Sequence, residues 1–275
     1  MTICDILLHL TEDPHAGQRL LAAVALAEKH EAHLTALYTR TPWAVPVYLA
    51  AYVPPELLVT EQKAAAKAAR QAKTEFVSAC EKAGVSWEWR VSDADDPVDE
   101  MRRQARYADL SIAGQIDPKA DVPTGAEFLP ADLVLSTGRP VLIIPYAGKF
   151  PKIGARVLVA WNGSRESARA VHDALPMMAG AKKVTILSVN PKKSDHVPGA
   201  DIAAHLVRHG LKVDVMQRVA PDLKVVESVL GAATDIGADL VVMGAWGHSR
   251  LRELALGGAT REMLKRMTVP VLMSH

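Results

Sequence analysis

The chain has 275 residues, 49% of them hydrophobic and 23% charged, with a formal net charge of +1, the balance of a folded protein with one large or two medium cores. The near-zero charge, without Lys/Arg clusters interleaved with aromatics, argues against nucleic acid as a partner. No apolar run approaches the ~18 residues of a membrane span, and Met1 to Asp5 carry neither a basic region nor a cleavage site, so no membrane partner and a cytoplasmic location are expected.

In chain order, residues 6–8 read as a short apolar strand. Thr11, Glu12, Asp13 and Pro14 follow, then a helical spacing of Leu20, Leu21, Val24 and Leu26, and a second strand at 33–38. Residues 41–58, with Trp43, Val45, Val47, Tyr48 and Tyr52, read as an extra piece lying over the sheet or a subunit contact; the alternative is a patch for an apolar ligand. Cys4 and Cys80 lack C-x-x-C spacing and read as inert thiols in a reducing compartment. Glu88, Asp93, Asp95, Asp96, Asp99 and Glu100 form an acidic run of the usual exposed kind, and no catalytic pair is assigned to it. Ala108, Asp109 and Leu110 open a strand that stops at Gly114, and 141–144 is a strand at a sheet edge. Gly, Lys and Pro then accumulate around 147–153.

After that linker the pattern begins again. A strand at 157–160 leads through Asn162, Gly163 and Ser164 to a helical spacing of Ala168, Val171, Leu175 and Met178. Next come a strand at 184–189, a short helix at 201–209, a strand at 213–219 and a helix at 222–236. Ala238, Asp239 and Leu240 repeat the earlier triplet, and 271–273 is a second edge strand. Gly114 precedes Pro140, and Gly244 precedes Pro270, by the same 26 residues. Matching order and spacing imply a tandem duplication, with domains at 1–148 and 154–275. Strands alternating with helices imply an α/β fold, each domain a doubly wound parallel sheet with right-handed crossovers and helices on both faces. The two edge strands are expected to pack the halves as an internal pseudo-dimer, and a homodimer is the further assembly open to such edges.

The most informative stretch is 239–260. Leu240 to Met243 is a continuous apolar run, the mark of a strand covered on both faces, and it stops at Gly244. Gly247 follows three residues later; nine residues on come Gly257 and Gly258, then Ala259, Thr260 and helical spacing at Met263, Leu264 and Met267. Strand, glycine loop and helix in this order suit phosphate, because glycine permits close backbone approach and a helix N-terminus offers unpaired N–H groups; two ordinary turns are the plain alternative. The first repeat differs at these positions. Asp117 stands where the second glycine would be, and residues around 127–131 replace the later glycines, so a carboxylate would face the phosphates.

Gly-x-x-Gly, nine residues, then Gly and a small residue, before the last strand of a small α/β domain, resembles the ATP-binding signature of the universal stress proteins. The resemblance covers nearly the whole chain. It implies a tandem, UspA-like protein with a five-stranded sheet of order 3-2-1-4-5 in each domain and a nucleotide beyond the carboxyl ends of strands one and four, the switch point of such a sheet. It places Ala160, Trp161, Asn162, Val189, Met243, Gly244, Gly247, Gly257, Gly258, Ala259 and Thr260 about an adenine nucleotide, ATP, with or without Mg2+. Asn162 stands where the family usually bears Asp; it still hydrogen-bonds a ribose hydroxyl but holds a metal less firmly. Backbone at Val189 would meet the adenine. Gly258 stands where ATP binders usually carry Ser or Thr, and Thr260 matches a second hydroxyl position. The first domain is expected not to bind ATP in the family manner.

Asn162 and Ser164 also suit the cap of the next helix. His205 and His209, four apart, could place two metal ligands on one helix face; with no third ligand evident, a solvated face is the preferred reading and no metal is assigned. His248, Arg250 and Arg252 lie in the glycine loop, where an arginine could pair a γ-phosphate or merely solvate the loop. No nucleophile elbow, Walker loop or His-Glu-x-x-His occurs, so no catalytic residue is assigned. The leading function is adenine-nucleotide binding in the C-terminal domain as a stress-response regulatory module. A nucleotide-independent scaffold is the alternative, and a slow ATP hydrolase a third.

Overall fold

The computed structural model describes residues 2–40, 54–92, 97–120, 129–191, 197–220, 224–245 and 258–275. The first half runs β1 (Asp5–Leu10), α1 (Ala16–His30), β2 (His33–Thr39), α2 (Pro55–Ala83), β3 (Trp87–Ser92), α3 (Pro97–Ala105), β4 (Leu110–Gly114), α4 (Leu129–Ser136) and β5 (Val141–Ile144). The second runs β6 (Arg156–Ala160), α5 (Arg165–Met178), β7 (Lys183–Val189), α6 (Ala200–Arg208), β8 (Val213–Arg218), α7 (Val225–Ile236), β9 (Leu240–Gly244), α8 (Ala259–Arg266) and β10 (Val271–Ser274).

All ten strands form one sheet of order β3-β2-β1-β4-β5-β10-β9-β6-β7-β8. Each half is parallel and has the expected 3-2-1-4-5 order, so the chain is two tandem α/β domains. The halves meet where β5 and β10 pair antiparallel, Leu142 opposite Leu272. Two bonds reinforce the seam: Lys29 Nζ donates to the Met177 carbonyl at 3.3 Å, and the Arg169 guanidinium donates to the Gly138 carbonyl. Because that pairing is antiparallel, the carboxyl ends of the strands point to opposite edges of the sheet in the two halves.

The continuous apolar runs are explained by alternation within buried strands. Ile6, Leu8, Leu142, Ile144, Val157, Val159, Leu240 and Val242 face one layer, with α1, α2, α5 and α6. Leu7, Val141, Ile143, Leu158, Val241 and Met243 face the other, with α3, α4, α7 and α8. Full burial of each such side chain contributes roughly 1.5–3 kcal/mol before entropy is counted. The repeated Ala-Asp-Leu triplet also has a structural cause. Asp109 accepts from the amides of Cys4 and Asp5 at 2.8 and 3.1 Å. Asp239 accepts from those of Gly154, Ala155 and Arg156 at 2.8, 3.1 and 3.1 Å. In both repeats the carboxylate ties the start of the fourth strand to the start of the first.

Three expectations are corrected. Residues 55–58 are not part of an extra piece: Pro55 opens the 29-residue α2, where its missing N–H is not needed, and 41–53 lie outside the described residues. In α1, Leu21 is 66% exposed and Arg19 is buried, so the inward face is rotated from the one that apolar spacing suggests. The last helix starts at Ala259 rather than 261, directly after Gly258.

Candidate functional site

In the second half, chain order reverses between β6 and β9, which lie side by side with Ala160 opposite Met243. The Trp161 amide continues the ladder to the Leu187 carbonyl at 2.8 Å. Asn162 Oδ1 then accepts from the Ser164 amide at 3.0 Å, across a turn in which Gly163 takes φ of 73°, a value glycine reaches without strain. Ser164 caps α5, its Oγ accepting from the Ser167 amide at 3.2 Å. Turn formation therefore uses the carboxamide oxygen of exposed Asn162.

Glu166, in the first turn of α5, is only 7% exposed and pairs with Arg165 at 3.0 Å. Burial by itself would raise its pKa; hydrogen bonds from its own amide and Ser164, and the Arg165 charge, outweigh this and hold the carboxyl below its usual range. Gly244 faces this same turn. An ideal Cβ at Gly244 would lie 2.5 Å from the Glu166 carbonyl carbon and 2.5 Å from the Ser167 nitrogen. Close packing of α5 on β9 thus requires glycine here, whatever ligand lies beyond.

Met243 points to the opposite layer, and half-buried Ala160, Val189 and Met216 line that layer beside it. Next to Val189, Asn190 adopts φ of 47°. Its carboxamide accepts from the Ala220 amide at 2.7 Å and donates to the Ala220 carbonyl at 3.2 Å, clamping the ends of β7 and β8. Its only signal in the sequence is an Asn just past a strand, a residue type that tolerates left-handed backbone. Gly258 is the N-cap of α8 with φ −51° and ψ 162°, and as glycine it brings no side chain of its own to that cap. Thr260 is buried at 3% exposure. A right-handed crossover from β9 to β10 sets the start of α8 at the carboxyl edge, with Ala160 and Gly244. Gly247, Gly257, His248, Arg250 and Arg252 lie outside the described residues.

At the equivalent place in the first half stands a protein cation. The buried Arg19 guanidinium donates to the His9 carbonyl at 2.8 Å and to Asp13 at 2.6 Å, and it packs on Gly114, where a Cβ would collide with it. His9 is buried behind it, Nε2 2.9 Å from Thr39 Oγ1. Burial first, and Arg19 second, lower its pKa to about 3, so the ring is neutral. Asp117 lies 2.9 Å from His15 Nε2; the Lys119 amide, then His15, hold its carboxyl below the usual range. A cavity of about 290 Å3 at this edge is lined by Glu12, Asp13 and Glu75, the wrong sign for phosphate. Arg19, His9 and His15 carry no motif. A buried arginine inside an apolar helix leaves no local pattern, and these partners meet only in the fold.

The comparisons with known proteins agree with this architecture. Residues 210–275 match the universal stress protein family, and the chain is 28% identical over 148 residues to a universal stress protein of Synechocystis sp., covering 51% of this chain and 48% of that one. Residues 210–275 thus resemble the universal stress proteins. A universal stress protein of Methanocaldococcus jannaschii is 37% identical over 46 residues, 17% of this chain and 28% of that one; the chain thus spans half or less of the curated relatives it matches. A universal stress protein structure from Archaeoglobus fulgidus superposes with a TM-score of 0.76 at 16% identity, covering 98% of this chain and 96% of that one. A functionally unknown protein from Pseudomonas aeruginosa gives 0.63 at 17% identity, covering 99% and 92%. At such identities these likenesses speak for the shared fold.

Proposed function

We propose that this UspA-like chain binds one adenine nucleotide, ATP, at the carboxyl edge of its second half, residues 154–275, and acts as a stress-response regulatory module. The observation that carries the reading is the contrast between the two edges. In the second half, α8 opens at Gly258 without a side-chain cap, at the edge where Ala160 and Gly244 end. In the first, residues 1–148, Arg19 and Asp13 occupy the corresponding place. Half-buried Ala160 and Val189, with Met243 at the rim, offer an apolar bed for the adenine. Trp161 and the NH2 group of Asn162 lie toward the ribose, and N–H groups of Gly247 and of residues 257–260 hold the phosphates.

Calorimetric titration of nucleotide-stripped protein with ATP, with and without Mg2+, tests this. One site per chain is expected, with binding lost in Gly247→Asp, which copies Asp117 of the first repeat. A lost charged hydrogen bond costs about 1.5–3 kcal/mol, roughly ten- to a hundred-fold in affinity. Two equivalent sites, or unchanged affinity in the variant, would overturn the assignment. No binding at all would leave the nucleotide-independent scaffold, and steady phosphate release would mark the hydrolase.

A further inference from the structure

The cavity of about 290 Å3 at the carboxyl edge of the first half lies between the turn before α1, the end of β2 and the middle of α2. Its floor is Tyr38, 2% exposed and stacked on Trp89 with ring centroids 5.5 Å apart. The phenol hydroxyl is the one polar atom of that side chain, and it has no hydrogen-bond partner among the described residues, an uncommon state for a buried tyrosine. Burial first, and the Glu12 carboxylate second, raise its pKa, so the hydroxyl is protonated and senses the acidic wall beside it; Arg40, the cation opposing this effect, does not line the cavity. Carboxylates of Glu12, Asp13 and Glu75 line it, and no described lysine, arginine or histidine does. Arg19 neutralises Asp13 at 2.6 Å. Exposed Glu12 and Glu75 have no ion pair among the described residues, and Glu75 accepts from the Gln71 carboxamide at 3.0 Å.

We propose that this cavity binds a small aliphatic polyamine, held as its polyammonium ion. An ammonium group carries three donors and no acceptor, which matches a lining of two carboxylates without counter-ions and a phenol oxygen without a partner. Glu12, from the turn before α1, and Glu75, from α2, stand on different walls, and half-buried Ala16, Ala68 and Ala72 supply the apolar surface that a methylene chain covers. A metal ion does not fit the same groups. Magnesium and calcium need several oxygens converging at about 2.0–2.6 Å, and among the described residues no three such side chains are so disposed. Carboxylates on separate walls call instead for positive charges spaced along one chain. The volume is at the small end of ligand pockets, which run from about 300 to 1,000 Å3, and suits a chain of a few methylenes.

The site lies in the other half from the proposed nucleotide site and shares no residue with it, so either can fail without the other. The chain's net charge of +1 gives no general attraction for a polycation. Saturable binding therefore reports this local concentration of negative charge.

The test is calorimetric titration of the full-length, nucleotide-stripped protein with spermidine trihydrochloride, repeated in magnesium chloride and in sodium chloride of equal ionic strength. One saturable site per chain is expected, with the same affinity in the two salts. Glu12→Gln and Glu75→Gln remove charge at exposed positions where the fold tolerates change; each should weaken binding about threefold, the loss of a partly screened ion pair, and the double variant about tenfold. Tyr38→Phe removes the hydroxyl alone and should weaken binding roughly tenfold, as for a lost hydrogen bond to a charged group. Absence of saturable binding would overturn the proposal. So would displacement of the amine by magnesium but not by sodium, which would mark a metal site, or an affinity unchanged in both glutamate variants and in Tyr38→Phe.

Discussion

Replacing Gly244 by Ala is the sharpest test of how the second half is packed. The added Cβ would lie 2.5 Å from two backbone atoms of Glu166 and Ser167 and 2.8 Å from the Glu166 carbonyl oxygen. Ordinary contact needs about 3.5 Å, so β9 and the first turn of α5 must separate by about 1 Å. No rotamer change absorbs this, because the obstructing atoms are main chain. Nor can α5 slide freely: Ala170, Val171, Ala174, Met177 and Met178 are all fully buried against the sheet. Overpacking of this kind costs about 1–3 kcal/mol, a sizeable part of a typical total stability of about 5–15 kcal/mol. With a urea m-value of about 3 kcal/mol/M, the unfolding midpoint of the second half should fall by about 0.3–1 M. Gly17→Ala is the control, since nothing lies within 4 Å of a Cβ there and alanine is the better helix residue by about 0.8–1 kcal/mol. Both variants are measured without nucleotide, so that a packing role is separated from a binding role. Unchanged or raised stability in Gly244→Ala would refute the reasoning.

Gly258→Ser should supply the side-chain oxygen that α8 lacks at its cap, raising stability by a few tenths of a kcal/mol while keeping or improving ATP affinity; calorimetric loss of affinity would contradict phosphates held by backbone. His9 has a folded pKa of about 3 against 6.5 when unfolded. The unfolded chain therefore binds the extra proton, and the stability this group contributes is complete above pH 6.5 and lost as pH falls toward 3, by about 1.4 kcal/mol per pH unit. His9→Gln should flatten that slope, and denaturation midpoints at pH 7 and pH 5 that fall equally in variant and wild type would rule it out. Gln115→Ala removes a 6%-exposed carboxamide that donates to the Leu264 and Lys265 carbonyls at 3.0 and 3.2 Å. Stability should fall by about 1–3 kcal/mol, and an unaltered midpoint would show the link to be idle.

The parts of the fold legible in the sequence are those whose cause is local or repeated. Continuous apolar runs such as Leu240 to Met243 mark strands buried on both faces, and the recurrence of Ala-Asp-Leu marks one carboxylate bond used twice. Less legible was α2, whose alanines and charges give little periodicity and whose Leu57, Leu58 and Val59 remain exposed. The contacts of the site were hidden for a different reason. Arg19 meets the His9 carbonyl across a strand-to-helix turn, and Tyr38 shares a cavity with Glu12 and Glu75 from other elements, so neither group has a characteristic spacing. At Gly244 the sequence suggests backbone freedom near phosphate, whereas the observed constraint is the main chain of α5, and sequence cannot distinguish the two.

The asymmetry of the two halves resides in side chains, because the backbones still agree at the positions that differ most. The Gln115 amide donates to the Ile144 carbonyl at 2.8 Å, and the Ala245 amide donates to the Ser274 carbonyl at 2.9 Å, so the two residues hold one place in the repeat. From that shared place, Ala245 has no polar side chain to extend, whereas Gln115 crosses the seam to the last turn of α8. Its NH2 group satisfies carbonyls that a helix end leaves open, and its oxygen accepts from the Tyr146 amide at 3.2 Å. The antiparallel β5–β10 pairing makes this reach feasible, since it brings the carboxyl edge of the first half alongside the amino edge of the second. Gln115 of the first half therefore braces one end of the helix whose other end is the proposed phosphate anchor. Under the proposed function, the first half would then contribute to nucleotide binding by fixing α8, while its own corresponding crevice holds Arg19.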